Sequence, residues 1–316
     1  MITRRAFLLA SLAAGAGLAG DTPSVETGPI VLLRIATGDP LGSYLPFGRL
    51  LVHELRAAYP RLHGIAIPTE GSVANLEMLR AGQADLGLSL ADLAESALAG
   101  EPPFAGPTPI RALGRIFENY LQLAVRADSK ITTLPQLAGR TISLGAPGSG
   151  GAVLGARLLS GAGVTGVRTL LLPSLQARQA LLARTIDALL VSGGVPIPVL
   201  SALDLEVGIR LLPLSPYLSI LRPAGQTGYE SVPVPPGAYH GGSVVDTVGV
   251  ANLLVCRADL PGDVAAMVAQ ILAERAGELI PAQTVGTQFL DARSLIATGA
   301  VPLHPGAVAA YRARHG

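Results

Sequence analysis

The sequence predicts an α/β fold of two α/β lobes joined by two crossing strands. Three observations predict it. Short apolar runs of strand type alternate with segments of helical spacing through brief connections, the pattern of a mostly parallel sheet covered by helices. That βα series occurs twice, once before and once after the Pro-rich segment at residues 101–109. The run Ala124-Val125-Arg126-Ala127-Asp128 is echoed by Leu254-Val255-Cys256-Arg257-Ala258-Asp259, two strand ends that would cross between the lobes.

In chain order, residues 30–36 form the first expected strand. A helix follows over 43–58, with Tyr44, Phe47, Leu50, Leu51 and Leu55 on one face. Residues 65–69 read as the second strand, and Ser72 caps a helix that runs to Arg80-Ala81 and closes at Gly82. Residues 84–89 are the third strand, before a helix over 90–98. Beyond the Pro-rich segment, 110–117 and 121–126 read as two strands. The second series places strands at 141–144, 167–172 and 187–191, and helices at 150–159, 174–183 and 196–205. Crossings fall at 121–126 and 248–257, and helices over 261–279 and 305–314 return to the first lobe. The expected division is a signal peptide and leader at 1–28, a first lobe at 29–122 plus 240–316, and a second lobe at 123–239.

Arg4-Arg5 precedes an Ala/Leu-rich stretch that ends near Gly20, the pattern of a twin-arginine export signal, and the stretch is shorter than the roughly 20 apolar residues of a spanning helix. A periplasmic location is therefore expected. The single cysteine, Cys256, cannot close an intramolecular disulfide, so the fold rests on its apolar core. The formal net charge of +1 argues against a nucleic-acid partner, which calls for a clustered basic face.

Three strand-to-helix turns are rich in Gly and Ser: residues 37–44, 69–75 and 145–151. Each leaves backbone N–H groups unpaired at the positive end of a helix, and small residues let a ligand approach them. Converging, they would hold a small anion without a catalytic group. The turn at 145–151 lacks the Lys-Ser/Thr ending of a phosphate-binding loop, and Ser149 is not in a Gly-x-Ser-x-Gly elbow. His53, His63, His240, His304 and His315 are scattered and lack metal-ligand spacing. No enzymatic activity, metal or cofactor is expected. If the ligand is a carboxylate, one arginine among Arg49, Arg111, Arg115, Arg126 and Arg222 is expected to pair with it, and which one is open.

The ordered series Thr37-Gly38 with Gly42-Ser43-Tyr44, Gly71-Ser72-Val73-Ala74-Asn75, Gly82-Gln83-Ala84-Asp85, Gly148-Ser149-Gly150, Val195-Pro196-Ile197-Pro198 and Val301-Pro302-Leu303-His304-Pro305-Gly306 resembles the TAXI family of solute-binding proteins, which serve tripartite ATP-independent periplasmic (TRAP) transporters. The resemblance implies a type II periplasmic binding-protein fold and capture of a glutamate-like solute, a dicarboxylate or another organic acid for the membrane subunits of a TRAP transporter. It implies a ligand site at Thr37, Gly38, Ser43 and Tyr44 in the first turn, Ser72 and Asn75 in the second, and Ser89 and Asp92 at the third strand end. Gly148, Ser149 and Gly150 would face them from the second lobe, with Pro196 bordering the cleft. Departures at Asp39, Leu45, Leu90 and Gly151 fall in or beside these contacts and weaken a glutamate-like assignment. A periplasmic sensor feeding a membrane receptor, and ranked below it a periplasmic hydrolase, are the alternatives.

Overall fold

A computed structural model describes residues 31–222, 228–240 and 244–315. The expected export signal lies outside the described residues. The first βα series comprises β1 (Val31–Ala36), α1 (Tyr44–Ala58), β2 (Leu62–Ile67), α2 (Ser72–Arg80), β3 (Leu86–Leu90) and α3 (Ala91–Ala99). β1 pairs in parallel with both β2 and β3. Helix α1 lies on this sheet because Tyr44, Phe47, Leu51 and Leu55 form one buried stripe, as their spacing requires. α2 ends with Ala81 as its cap and Gly82 at φ +67°, the left-handed turn that glycine adopts without a Cβ clash.

The chain then enters β4 (Ile110–Arg126), a single 17-residue strand where two shorter ones are expected from sequence. The polar stretch Glu118-Asn119 does not break it, because β4 is paired along this stretch with antiparallel β10 (Val245–Arg257). From Tyr120 onward β4 also pairs with β7 (Ala188–Gly193), and from Leu123 with β8 (Ile209–Leu212). β10 exchanges partners too: Val245–Val250 pair with β9 (Tyr229–Val234), and Asn252–Cys256 with β3. Its register against β4 shifts between Ala251 and Leu253, a bulge at the point of exchange. β4 and β10 are thus the two strands that pass from one lobe to the other.

The second lobe adds β5 (Thr141–Ser143), α4 (Gly150–Gly161), β6 (Arg168–Leu170), α5 (Ser174–Leu182), α6 (Pro198–Val207) and α7 (Leu218–Leu221). The main path through the sheet runs β2-β1-β3-β10-β4-β7-β5-β6. The chain closes with α8 (Gly262–Glu274) and α9 (Pro305–His315), and the Tyr311 hydroxyl donates to the Leu113 carbonyl of β4 at 2.6 Å. One apolar cluster is built from α1, α8, α9 and β1, another from Leu181, Leu189, Leu200 and Leu203 in the second lobe, and a third runs through both lobes, from Leu76, Leu90 and Leu93 to Leu144, Leu154 and Leu190.

Candidate functional site

Parallel strands point their C-terminal ends at the crevice between the lobes, where short loops lead into helix starts. Thr37 follows β1 and is fully buried; its backbone N–H and hydroxyl both donate to the Ile67 carbonyl, the hydroxyl at 2.7 Å. Asn75 is also fully buried, and its amide donates to the Thr37 and Leu88 carbonyls at 2.6 and 2.7 Å while accepting from Thr69 at 2.6 Å. These two residues tie the ends of β1, β2 and β3 together and so hold the turns in place.

Between the turns lies a cavity of about 80 Å³. Of the residues expected at the ligand, Gly38, Ser43, Tyr44, Ser72, Ser149 and Gly150 line it. Thr37, Asn75, Ser89, Asp92, Gly148 and Pro196 lie outside its wall. Ser89 is buried with its hydroxyl on the Leu90 carbonyl at 2.9 Å. Asp92, 4% exposed, accepts from Tyr229 at 2.7 Å and from Arg157 at 3.1 Å. Burial drives its pKa up, which the tyrosine and arginine only partly oppose.

The second-lobe turn meets the first lobe directly. The Gly148 carbonyl accepts from the Val73 and Ala74 amides at 3.0 and 3.2 Å, so the start of α2 is capped by the opposite lobe. In return, Glu70 Oε2 accepts the Gly148 amide at 3.0 Å. Asp39 bridges likewise, Oδ1 accepting from Leu41 and Oδ2 from Ser174, both at 2.9 Å, which caps α5. A Cβ on Gly150 would lie 2.5 Å from Leu90 Cδ1 and 3.0 Å from Ser72 Oγ, so only glycine lets the lobes approach this closely. Ser149 caps its own helix, accepting from Ala152 at 3.1 Å and donating to Ala146 at 2.8 Å.

The polar lining is distinctive. Tyr44 donates to Asn252 at 2.5 Å and lies 3.3 Å from Ser72 Oγ; burial pushes its phenol well above the ordinary range, so it remains a proton donor at neutral pH. Asn119 of β4, 2% exposed, has its Oδ1 buried without a partner, and so does Ser192 Oγ of β7. Both line the cavity, and both are absent from the site expected from sequence. The one sequence signal for them is a polar residue interrupting an apolar strand run, as in Glu118-Asn119 and Val191-Ser192.

The expectation of an arginine is not met. None of Arg49, Arg111, Arg115, Arg126 and Arg222 lines the cavity, and no lining residue among the described residues is Arg or Lys. Arg115 instead stacks 3.5 Å from the Phe289 ring and sits 3.5 Å from Glu118, while Arg126 pairs with Asp128 at 3.3 Å. The lining carries the two carboxylates Asp39 and Glu70. Among the described residues no cluster of three or more His, Cys, Asp or Glu is arranged to hold a metal ion, and no helix is long and apolar enough to cross a membrane.

Two lobes, two crossing strands and a cavity between facing helix starts define the fold of the type II periplasmic binding proteins. The chain belongs to the NMT1-like family, whose model matches residues 35–313. Its fold is similar to that of the alkanesulfonate-binding protein SsuA from Xanthomonas axonopodis pv. citri bound to MOPS, at 18% identity over 90% of this chain and 84% of that one, with a TM-score of 0.50. It is similar also to Tv2483 bound to L-arginine, at 18% identity over 82% of this chain and 93% of that one, with a TM-score of 0.51.

Proposed function

We propose that the protein is a periplasmic solute-binding receptor, without catalytic activity, that closes on a small monocarboxylate and delivers it to a TRAP-type transporter as the TAXI resemblance suggests. The observation that carries this reading is the cavity between the lobes, walled by helix starts and by the polar residues Asn119 and Ser192 that interrupt the apolar strands β4 and β7.

Charge and chemistry narrow the ligand. The start of α2 is capped by the Gly148 carbonyl, which leaves the starts of α1 at Tyr44 and α4 at Gly150 to favour one anionic group in the cavity. With Asp39 and Glu70 on the wall and no cation opposite, a second carboxylate would be repelled, which disfavours a dicarboxylate. Asn119 and Ser192 in the wall are polar groups suited to a hydroxyl or an ammonium beside the carboxylate. The class that fits is a 2-hydroxy or 2-amino monocarboxylate.

Release requires the lobes to part, and we assign the rotation to β4 and β10. On the outgoing strand the partners change at Tyr120–Leu123, where β7 and β8 join, and on the returning strand at Val250–Asn252, where β9 gives way to β3. Closure is then a population shift driven by tighter binding to the closed form. Thermal unfolding of the purified protein with a panel of such acids tests the reading. A ligand at about 100 times its dissociation constant adds about 2.7 kcal/mol, with no product formed. Turnover of the bound acid, or an unchanged X-ray scattering radius at saturation, would refute it. Export by the twin-arginine route is tested by replacing Arg4 and Arg5 with lysine, which should hold the precursor in the cytoplasm.

A further inference from the structure

The cavity between the turns is too small to be the whole site. Its volume of about 80 Å³ is roughly half of the 150 Å³ that admits a benzene ring, so it accommodates a polar head and little more. A second cavity of about 400 Å³ lies beside it, within the range of ordinary small-molecule sites. The two share a wall, Gly42-Ser43. That wall is lightly held, since Ser43 Oγ reaches the Gly194 carbonyl only at 3.4 Å, longer than a normal hydroxyl bond.

The second cavity has a different chemistry. Its surface is mainly apolar, built from Phe47, Phe117 and the prolines Pro46, Pro196, Pro198 and Pro281, and none of its lining residues is charged. Phe117 belongs to both neighbourhoods, packed edge-on against Tyr44 at 6.2 Å and tilted against Phe47 at 5.5 Å. The walls come from both sides of the cleft: α1 and the 281–288 segment on one, Gly194 and the start of α6 on the other. An occupant would therefore touch both lobes and favour closure.

We propose that this apolar chamber is a second subsite that takes the uncharged, preferably aromatic, body of the ligand whose carboxylate head sits in the small cavity. This rests on the monocarboxylate reading above and narrows it to acids with a substantial apolar substituent. Pro196, expected at the ligand from sequence, then contacts the body rather than the head.

The test uses the full mature chain and matched probes that differ only in the body: lactate against 3-phenyllactate, and alanine against phenylalanine, titrated calorimetrically. In at least one pair the aromatic member should bind about 10- to 100-fold tighter, the range expected for burying a phenyl group. Ser201→Trp from α6 and Thr284→Trp from the opposite wall fill the chamber, and each, verified as folded by circular dichroism, should bring that preference toward one. Equal affinity within whichever pair binds would overturn the chamber while leaving the receptor reading intact. A preference unmoved by both folded variants would also overturn it. Binding of neither pair would remove the monocarboxylate reading and the chamber with it.

Discussion

Two of the places where the lobes meet differ in kind. At one, α3 of the first lobe meets α4 and β9 of the second through Asp92, Arg157 and Tyr229, with the carboxylate 4% exposed and its Oδ1 unpartnered. At the other, the turns meet through backbone groups: Gly148 with Glu70, Val73 and Ala74, and Asp39 with Ser174. A buried charge cannot lose its partner without a large penalty, whereas an exposed amide exchanges one acceptor for water at little cost. In the proposed closure, the turn contacts are therefore suited to making and breaking with each ligand, and the Asp92 cluster to setting the geometry of the closed form.

That contrast breaks first at Asp92. Asp92→Ala strands Arg157 and the Tyr229 hydroxyl; with the arginine side chain 35% exposed, the expected loss is about 3 kcal/mol, at the lower end for a disrupted buried pair. Denaturant midpoints at constant slope measure it, and a loss below about 1 kcal/mol would erase the distinction between the two places. The second effect separates the crossing strand from both. Burial raises the Glu118 pKa to about 7 from an ordinary 4.5, which Arg115 only partly opposes. The folded state thus holds a proton that the unfolded state has released, so stability is full below about pH 4.5 and falls as pH rises toward 7. The shift of about 2.5 units corresponds to about 3 kcal/mol at most. Melting temperature should decline across that window in the wild type, and Glu118→Gln should flatten the decline.

A smaller effect is expected at Asp39. Asp39→Ala removes the cap on α5 and costs the closed form about 1 kcal/mol, a roughly fivefold rise in the open fraction of the free protein. Spin-label distances across the cleft would show it, and an unchanged distribution would mean that the turn contacts do not hold the lobes. Glu70→Gln is the mildest change, because the amide oxygen still accepts from Gly148 and the site is exposed. Less than about 0.5 kcal/mol is expected in the same measurement.

Residues near in sequence were the readable part of the site. The helix over 72–80, the glycine at 82 and the three Gly/Ser turns follow from periodicity and capping, which act within a few residues. Six of the twelve residues expected at the ligand reach the cavity wall, and all six belong to those turns. Thr37 and Asn75 share the turns but face inward, because the strand ends need their hydrogen bonds. The continuity of β4 was not legible, since the pairing that carries it past Glu118 and Asn119 comes from a strand more than a hundred residues away.

Sequence alone therefore determined the βα order, the places where helices begin with small residues, and the two echoed strand ends, all of them matters of local propensity and pattern. Only the tertiary structure decided which of those helix starts remain open to a ligand and which are capped by the other lobe. Asp39 reaches Ser174 across 135 positions and Glu70 reaches Gly148 across 78, and no local rule foretells such a meeting. The same holds for the missing arginine, for Asn119 and Ser192, and for the apolar chamber beside them. Each depends on which side chains close packing of two lobes brings face to face, a property of the assembled surfaces rather than of any one segment.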